Sequence, residues 1–146
     1  MTAKFFVDRN VLLYAASNAA EDRAKRQTAR RILLQSDIGF SAQVLQEFYV
    51  AAVTKQRLQM THDEAVEVIE KLATFPVLPV TQELVRVAIA TKQRFRLSYW
   101  DAAILAAAQQ LGCHTVYSED LNHGQDYGGV RVLNPFLAAA PTGTSP

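Results

Sequence analysis

Five short β-prone runs, at 4–7, 38–41, 77–80, 115–117 and 130–133, are set apart by helix-length segments in every interval but the last. Strands that alternate with helices have one common solution. Right-handed crossovers lay the strands side by side in a mainly parallel sheet, with helices on both faces. The expected fold is therefore α/β, a single domain with a central sheet of four to five strands. The helical segments carry their own punctuation. Residues 11–16 read as a brief helix or turn, 21–35 as a long helix and 43–55 as another. Thr61-His62-Asp63-Glu64 is a capping box opening a helix to about Thr74, which Pro76 ends. Thr81 caps a helix to about Arg94; Ser98 caps one over 99–111, which Gly112 terminates. That last helix is apolar nearly all round, from Trp100 through Ala107 apart from Asp101, so it is expected to be buried and Trp100 to be structural.

From Ala138 the composition turns to Ala, Pro, Thr, Gly and Ser, which predicts a frayed tail over 138–146 and a folded domain over 1–137. With 49% hydrophobic and 20% charged residues, the chain is neither disordered nor low-complexity. No apolar run approaches the roughly 18 residues of a membrane helix, and Asp8 comes too early for a secretory signal. The single cysteine, Cys113, has no internal partner, which fits a reducing compartment and an expected location in the cytoplasm. His62, His114 and His123 are not spaced to build a zinc site with it.

A net charge of +1 carries no global mark of nucleic-acid binding, but the charge is unevenly placed. Residues 84–100 hold no acid, while Arg86, Lys92, Arg94 and Arg96 are basic. Arg23, Arg26 and Arg30 share one helix face. Either cluster alone reads as a solvated helix surface. The acids are more informative, because ligands of an open parallel sheet bind at the carboxyl ends of its strands. Asp8 follows the first strand; Ser118, Glu119 and Asp120 follow the fourth. Asp101 stands in the first turn of the buried helix, and Glu47 lies within two turns of the second strand's end.

Three of these acids have plain structural alternatives. Asp8 suits a helix cap, Asp101 suits a pair with Ser98 at a positive helix end, and Asp120 suits a turn. Glu47 resists such a reading. Its helical neighbours Gln43, Val44, Val50 and Ala51 offer no base, and an unpaired carboxylate among apolar groups is costly. Asp101 meets the same difficulty beside Ile104 and Leu105. Carboxylates gathered on one rim need a cation between them. An oxygen-only ligand set points to Mg²⁺ or Mn²⁺ over zinc, acting on a phosphate that the basic helices would hold.

The ordered set Phe6-Val7-Asp8-Arg9-Asn10-Val11-Leu12-Leu13-Tyr14, Gln46-Glu47-Phe48, Tyr99-Trp100-Asp101-Ala102-Ala103-Ile104, Ser118-Glu119-Asp120-Leu121 and Asn134-Pro135-Phe136 resembles a PIN domain. More narrowly, it is similar to the VapC-type toxins of bacterial toxin–antitoxin pairs, over nearly the whole chain. The resemblance implies a Mg²⁺- or Mn²⁺-dependent endoribonuclease, in which Asp8, Glu47, Asp101 and Asp120 match the acidic quartet. Asp8 and Asp101 are then the firmest metal ligands. Glu47 completes the site or orients the attacking water, and Asp120 ligates directly or through water. Ser118 matches a supporting hydroxyl, with Asn10 beside the first Asp. A homodimer and a small VapB-like antitoxin partner are implied as well. Arg9 departs from the pattern, which has Thr or Ser there. Such a cation either pairs with Asp8 and competes with metal, or reaches a scissile phosphate.

Other readings fit less well. A haloacid-dehalogenase-like phosphatase needs an Asp where Asn10 stands, and a response-regulator receiver needs one after the third strand, where Pro79-Val80-Thr81 is found. The remaining alternative is a catalytically degenerate PIN-like domain that binds RNA or a protein, and Arg9 is the feature that favours it.

Overall fold

The computed structural model describes residues 1–54, 58 and 60–137. Its strands are β1 (Phe5–Val7), β2 (Ile38–Ser41), β3 (Val77–Leu78), β4 (Thr115–Tyr117) and β5 (Arg131–Leu133). Its α-helices are α1 (Arg9–Ala16), α2 (Arg23–Leu33), α3 (Ala42–Thr54), α4 (His62–Leu72), α5 (Gln82–Phe95) and α6 (Tyr99–Gln110). Every strand pairing is parallel, in the order β3-β2-β1-β4-β5. The α/β expectation holds, with five strands. The expected helix end at Lys55 and the expected tail over 138–146 lie outside the described residues.

That strand order positions everything else. The chain lays β1, β2 and β3 outward in one direction, then returns past β1 to add β4 and β5 on the other side. The seam between β1 and β4 is therefore the switch point, where the connections part and leave a crevice at the strands' carboxyl ends. Helices cover both faces, so β2 is buried at all four positions. Phe6, Phe40, Phe48, Val116 and Val132 are fully inaccessible in the core.

Several local signals act as the sequence suggests. The Thr61 hydroxyl accepts from the Glu64 N–H at 3.1 Å, while Glu64 Oε1 accepts from the Thr61 N–H at 2.8 Å, closing the capping box. Thr81 and Ser98 cap α5 and α6. Gly112, at φ +82°, supplies the left-handed turn that ends α6. The third strand stops at Leu78 instead of Val80, because Pro79 has no N–H to donate to the ladder.

Three further expectations are corrected. The helix expected over 21–35 begins only at Arg23, after a 3-10 turn over Ala20–Asp22. The Ser17 hydroxyl donates to Asp22 Oδ2 at 2.6 Å and accepts from the Ala19 N–H, drawing that first turn tight. The arginine face of α2 is not simply solvated. Arg26 donates to the carbonyls of Ser17 and Ala19, and Arg30 to that of Ala15, so both satisfy backbone acceptors at the end of α1. Finally, Trp100 is 63% exposed. Burial of α6 begins at Ala102 and runs to Ala108, where its alanines let α5 pack closely; the first turn projects beyond the layer.

Candidate active site

The crevice at the β1–β4 seam is built on Asp8. Its N–H donates to the Tyr117 carbonyl, which carries the sheet one residue past β1 and fixes the side chain at the seam. Asp8 Oδ1 accepts from the Arg9 N–H at 2.7 Å, so the residue does cap α1, as its structural alternative required. Its second oxygen, Oδ2, accepts from the Ser118 hydroxyl at 2.8 Å. The residue is only 2% exposed. Burial pushes its carboxyl up to about 6, against the lowering effect of the Ser118 and Arg9 donors and the Arg9 charge; the nearby Asp120 charge adds to the rise.

Ser118 is itself fully buried and ties β1 to the loop after β4. While donating to Asp8 it accepts from the Asp120 N–H at 3.1 Å. Asp120 is held from the other side by Asn10, whose Nδ2 donates to Asp120 Oδ2 at 3.0 Å. Ser118→Ala is expected to leave Asp8 Oδ2 without its donor. The Asp8 carboxyl should then titrate higher still, and the protein should lose about 1–3 kcal/mol near neutral pH, the usual cost of an orphaned buried acceptor. Carboxyl carbon NMR and thermal unfolding check the two parts separately.

Glu47 enters from α3, whose start is set by Ser41 Oγ accepting from the Val44 N–H. Gln43, one turn earlier, donates to Glu47 Oε2 at 3.4 Å and to the Trp100 carbonyl at 3.5 Å, linking α3 to the first turn of α6. Glu47 Oε1 is buried and, among the described residues, has no hydrogen-bond partner. The base missing from its own helix comes from α1. Arg9 Nη1 lies 3.3 Å from Asp120 Oδ2, 3.6 Å from Glu47 Oε1 and 3.9 Å from Asp8 Oδ1. Gln43 and the threefold reach of Arg9 were not singled out in the sequence. The four-residue spacing of Gln43 and Glu47 on one helix face was the available signal for the first.

The structure thus brings Asp8, Glu47 and Asp120 around one cation, with Asn10 and Ser118 in support. Asp101 stands apart from that cluster of ion pairs. Its N–H donates to the Ser98 hydroxyl at 3.1 Å at the start of α6, and its half-buried side chain lies one residue after the carbonyl that Gln43 holds. Glu119 is engaged elsewhere, accepting from the Tyr14 hydroxyl at 2.9 Å and pairing with Lys25 at 3.6 Å. Among the described residues no three His, Cys, Asp or Glu side chains form a ready metal cage. Even so, the donor set suits a hard divalent ion: it is all oxygen, it already gathers around positive charge, and it includes the orphaned Glu47 Oε1. From Arg9 and Glu47 an open groove of about 480 Å³ runs along α3 past Gln46, Val50, Ala51 and Thr54.

The PIN domain family model matches residues 5–125 of the chain. No curated protein matches it significantly. Among solved structures, the fold is similar to VapC20 of Mycobacterium tuberculosis, described as a sarcin–ricin-loop-cleaving toxin, at 22% identity and a TM-score of 0.63, over 80% of this chain and 90% of that one. A toxin–antitoxin complex from Klebsiella pneumoniae matches at 21% identity and a TM-score of 0.63, over 91% and 98% of the two chains. DNA-bound VapBC from Salmonella typhimurium matches at 18% identity and a TM-score of 0.63, over 90% and 97%.

Proposed function

The chain belongs to the PIN domain family, and from that premise we propose that it is a Mg²⁺- or Mn²⁺-dependent endoribonuclease, the toxin of a toxin–antitoxin pair. The observation that carries the reading is the meeting of Asp8, Glu47 and Asp120 around a single positive charge at the switch point of the sheet. The toxin role and the small antitoxin partner draw on the likeness in fold to toxin–antitoxin proteins. We further propose a homodimer and a place in the cytoplasm. Among the described residues no helix is long and apolar enough to cross a membrane.

Asp8, Asp101, Glu47 and Asp120 would hold the ion, Asp101 contributing its carboxylate from the start of α6. When bound, such an ion neutralises a phosphodiester's charge and makes water a competent nucleophile near neutral pH. The chain's own groups do the rest. Ser118 and the Arg9 N–H fix both oxygens of Asp8, so this carboxylate presents one orientation. Asn10 holds one oxygen of Asp120, Oδ2. Glu47, whose Oε1 accepts no hydrogen bond from the described residues, would complete the site or orient the attacking water.

A second reading, a PIN domain that binds RNA or protein without cutting, draws on Arg9, whose charge already serves the acids. One assay separates the two. Purified protein is incubated with a mixed RNA pool and Mg²⁺ or Mn²⁺, with EDTA, and as Asp101→Asn. Cleavage that needs the ion and falls at least about 100-fold in the variant, beyond the range for outer-shell groups, is the expected result. Binding without cleavage of any RNA class, by folded and partner-free protein, establishes the second reading.

A further inference from the structure

Arg9 occupies the centre of the site rather than its edge. One of its nitrogens, Nη1, faces carboxylates from three separate segments: the end of β1, α3 and the loop after β4. All three contacts are ion pairs of 3.3 Å or longer, and despite them Glu47 Oε1 has no hydrogen bond among the described residues. The guanidinium is shared by three acids and seated firmly on none. Its side chain is still 34% exposed, and Arg9 itself lines the groove that runs along α3. A displaced guanidinium therefore has open space to enter without any movement of the backbone.

We propose that Arg9 is a tethered counter-ion that closes the acidic site in the metal-free protein, and that a divalent ion binds by exchanging with it. This rests on the reading of the site as metal-dependent. The physical case is one of competition. An ion held by these carboxylates would draw on the same oxygens that Nη1 now neutralises, and the site's negative charge cannot fully serve two cations at once. The tether makes the competitor permanent, so the affinity for metal is lowered by the fraction of molecules in which Arg9 is withdrawn. The same charge protects the empty site, since without it three carboxylates face one another uncompensated.

The test is a calorimetric titration of Mn²⁺ into wild type, Arg9→Thr and Arg9→Gln, with thermal unfolding of each in EDTA and in saturating Mn²⁺. The expected result is Mn²⁺ binding at least about tenfold tighter in both variants, corresponding to a withdrawn fraction of about one tenth or less in wild type. In EDTA both variants should unfold at a lower temperature than wild type, and Mn²⁺ should raise their midpoints by more. Arg9→Gln keeps the first three carbons of the side chain and a polar end, so the measurement survives if Arg9→Thr folds poorly. Equal or weaker Mn²⁺ binding by folded variants overturns the exchange while leaving the metal site intact. Absence of Mn²⁺ binding in wild type and variants alike overturns the metal-dependent reading itself, and this proposal with it.

Discussion

Asp8→Asn is expected to abolish metal-dependent RNA cleavage and, in EDTA at about pH 8, to leave the protein more stable than wild type. The loss of activity follows from position. Asp8 is the most buried acid of the site and the one on which β1, α1 and Ser118 converge. On the proposed reading Asp8 is a charged ligand, and its removal should exceed the roughly 10–100-fold cost of losing an outer-shell partner. The gain in stability follows from burial, which pushes the Asp8 carboxyl up to about 6. A group whose folded value lies above its unfolded one stabilises most when protonated. Its contribution is whole below about pH 4 and is lost as pH rises through about 6. At about pH 8 the folded wild type therefore carries a desolvated charge worth about 3 kcal/mol, by linkage. Asparagine keeps an oxygen for the Arg9 N–H and does not titrate, so the variant should be about 1–3 kcal/mol more stable there. The difference should vanish as pH falls through the window from about 6 to about 4. Chemical unfolding across pH, beside a cleavage assay, reads both effects. Cleavage retained within about tenfold would reduce Asp8 to a helix cap.

Much of this frame was legible because local chemistry dictated it. Strand runs bounded by turn residues, the Thr61 capping box and the Gly112 stop all act through neighbours in sequence. Asp8 and Asp120 were legible from the rule that strand ends face the crevice. Glu47 was legible as a carboxylate that no base on its own helix could pair. What sequence did not reveal was tertiary. The base that answers Glu47 is Arg9, from a different helix, and one nitrogen of it reaches two further acids. Arg26 and Arg30 end on backbone carbonyls of the α1 terminus, and no residue pattern announces a backbone acceptor. Trp100 was misread because hydrophobic pattern says which helix is buried but not where the layer above it ends.

Phe40→Ala should act in the opposite sense on both axes, costing about 3–5 kcal/mol of stability while leaving cleavage per folded molecule unchanged. Phe40 is fully buried in β2, and its ring meets Phe75 edge-on with centroids 5.8 Å apart. Its N–H donates to the Pro76 carbonyl, so side chain and backbone together bind β2 to the approach of β3. The cost depends on whether the site can collapse, and here the strand has little freedom to move. At the adjacent Gly39 a Cβ would stand 2.9 Å from that of Ala3 and 3.2 Å from the Pro76 oxygen, so the neighbouring register is already closed. The cavity should stay open and the full cost appear. Against a total of about 5–15 kcal/mol for a domain, that is a large share. Activity should survive at low temperature, because Phe40 is buried in the core and Ser41 still caps α3, which carries Glu47. Urea unfolding with a cleavage assay well below the midpoint measures both. A cost under about 1 kcal/mol would mean that Phe75 turns to fill the space. A loss of cleavage in folded protein would mean that the position of Glu47 depends on the packing of β2, and that the crevice is not independent of the core beneath it.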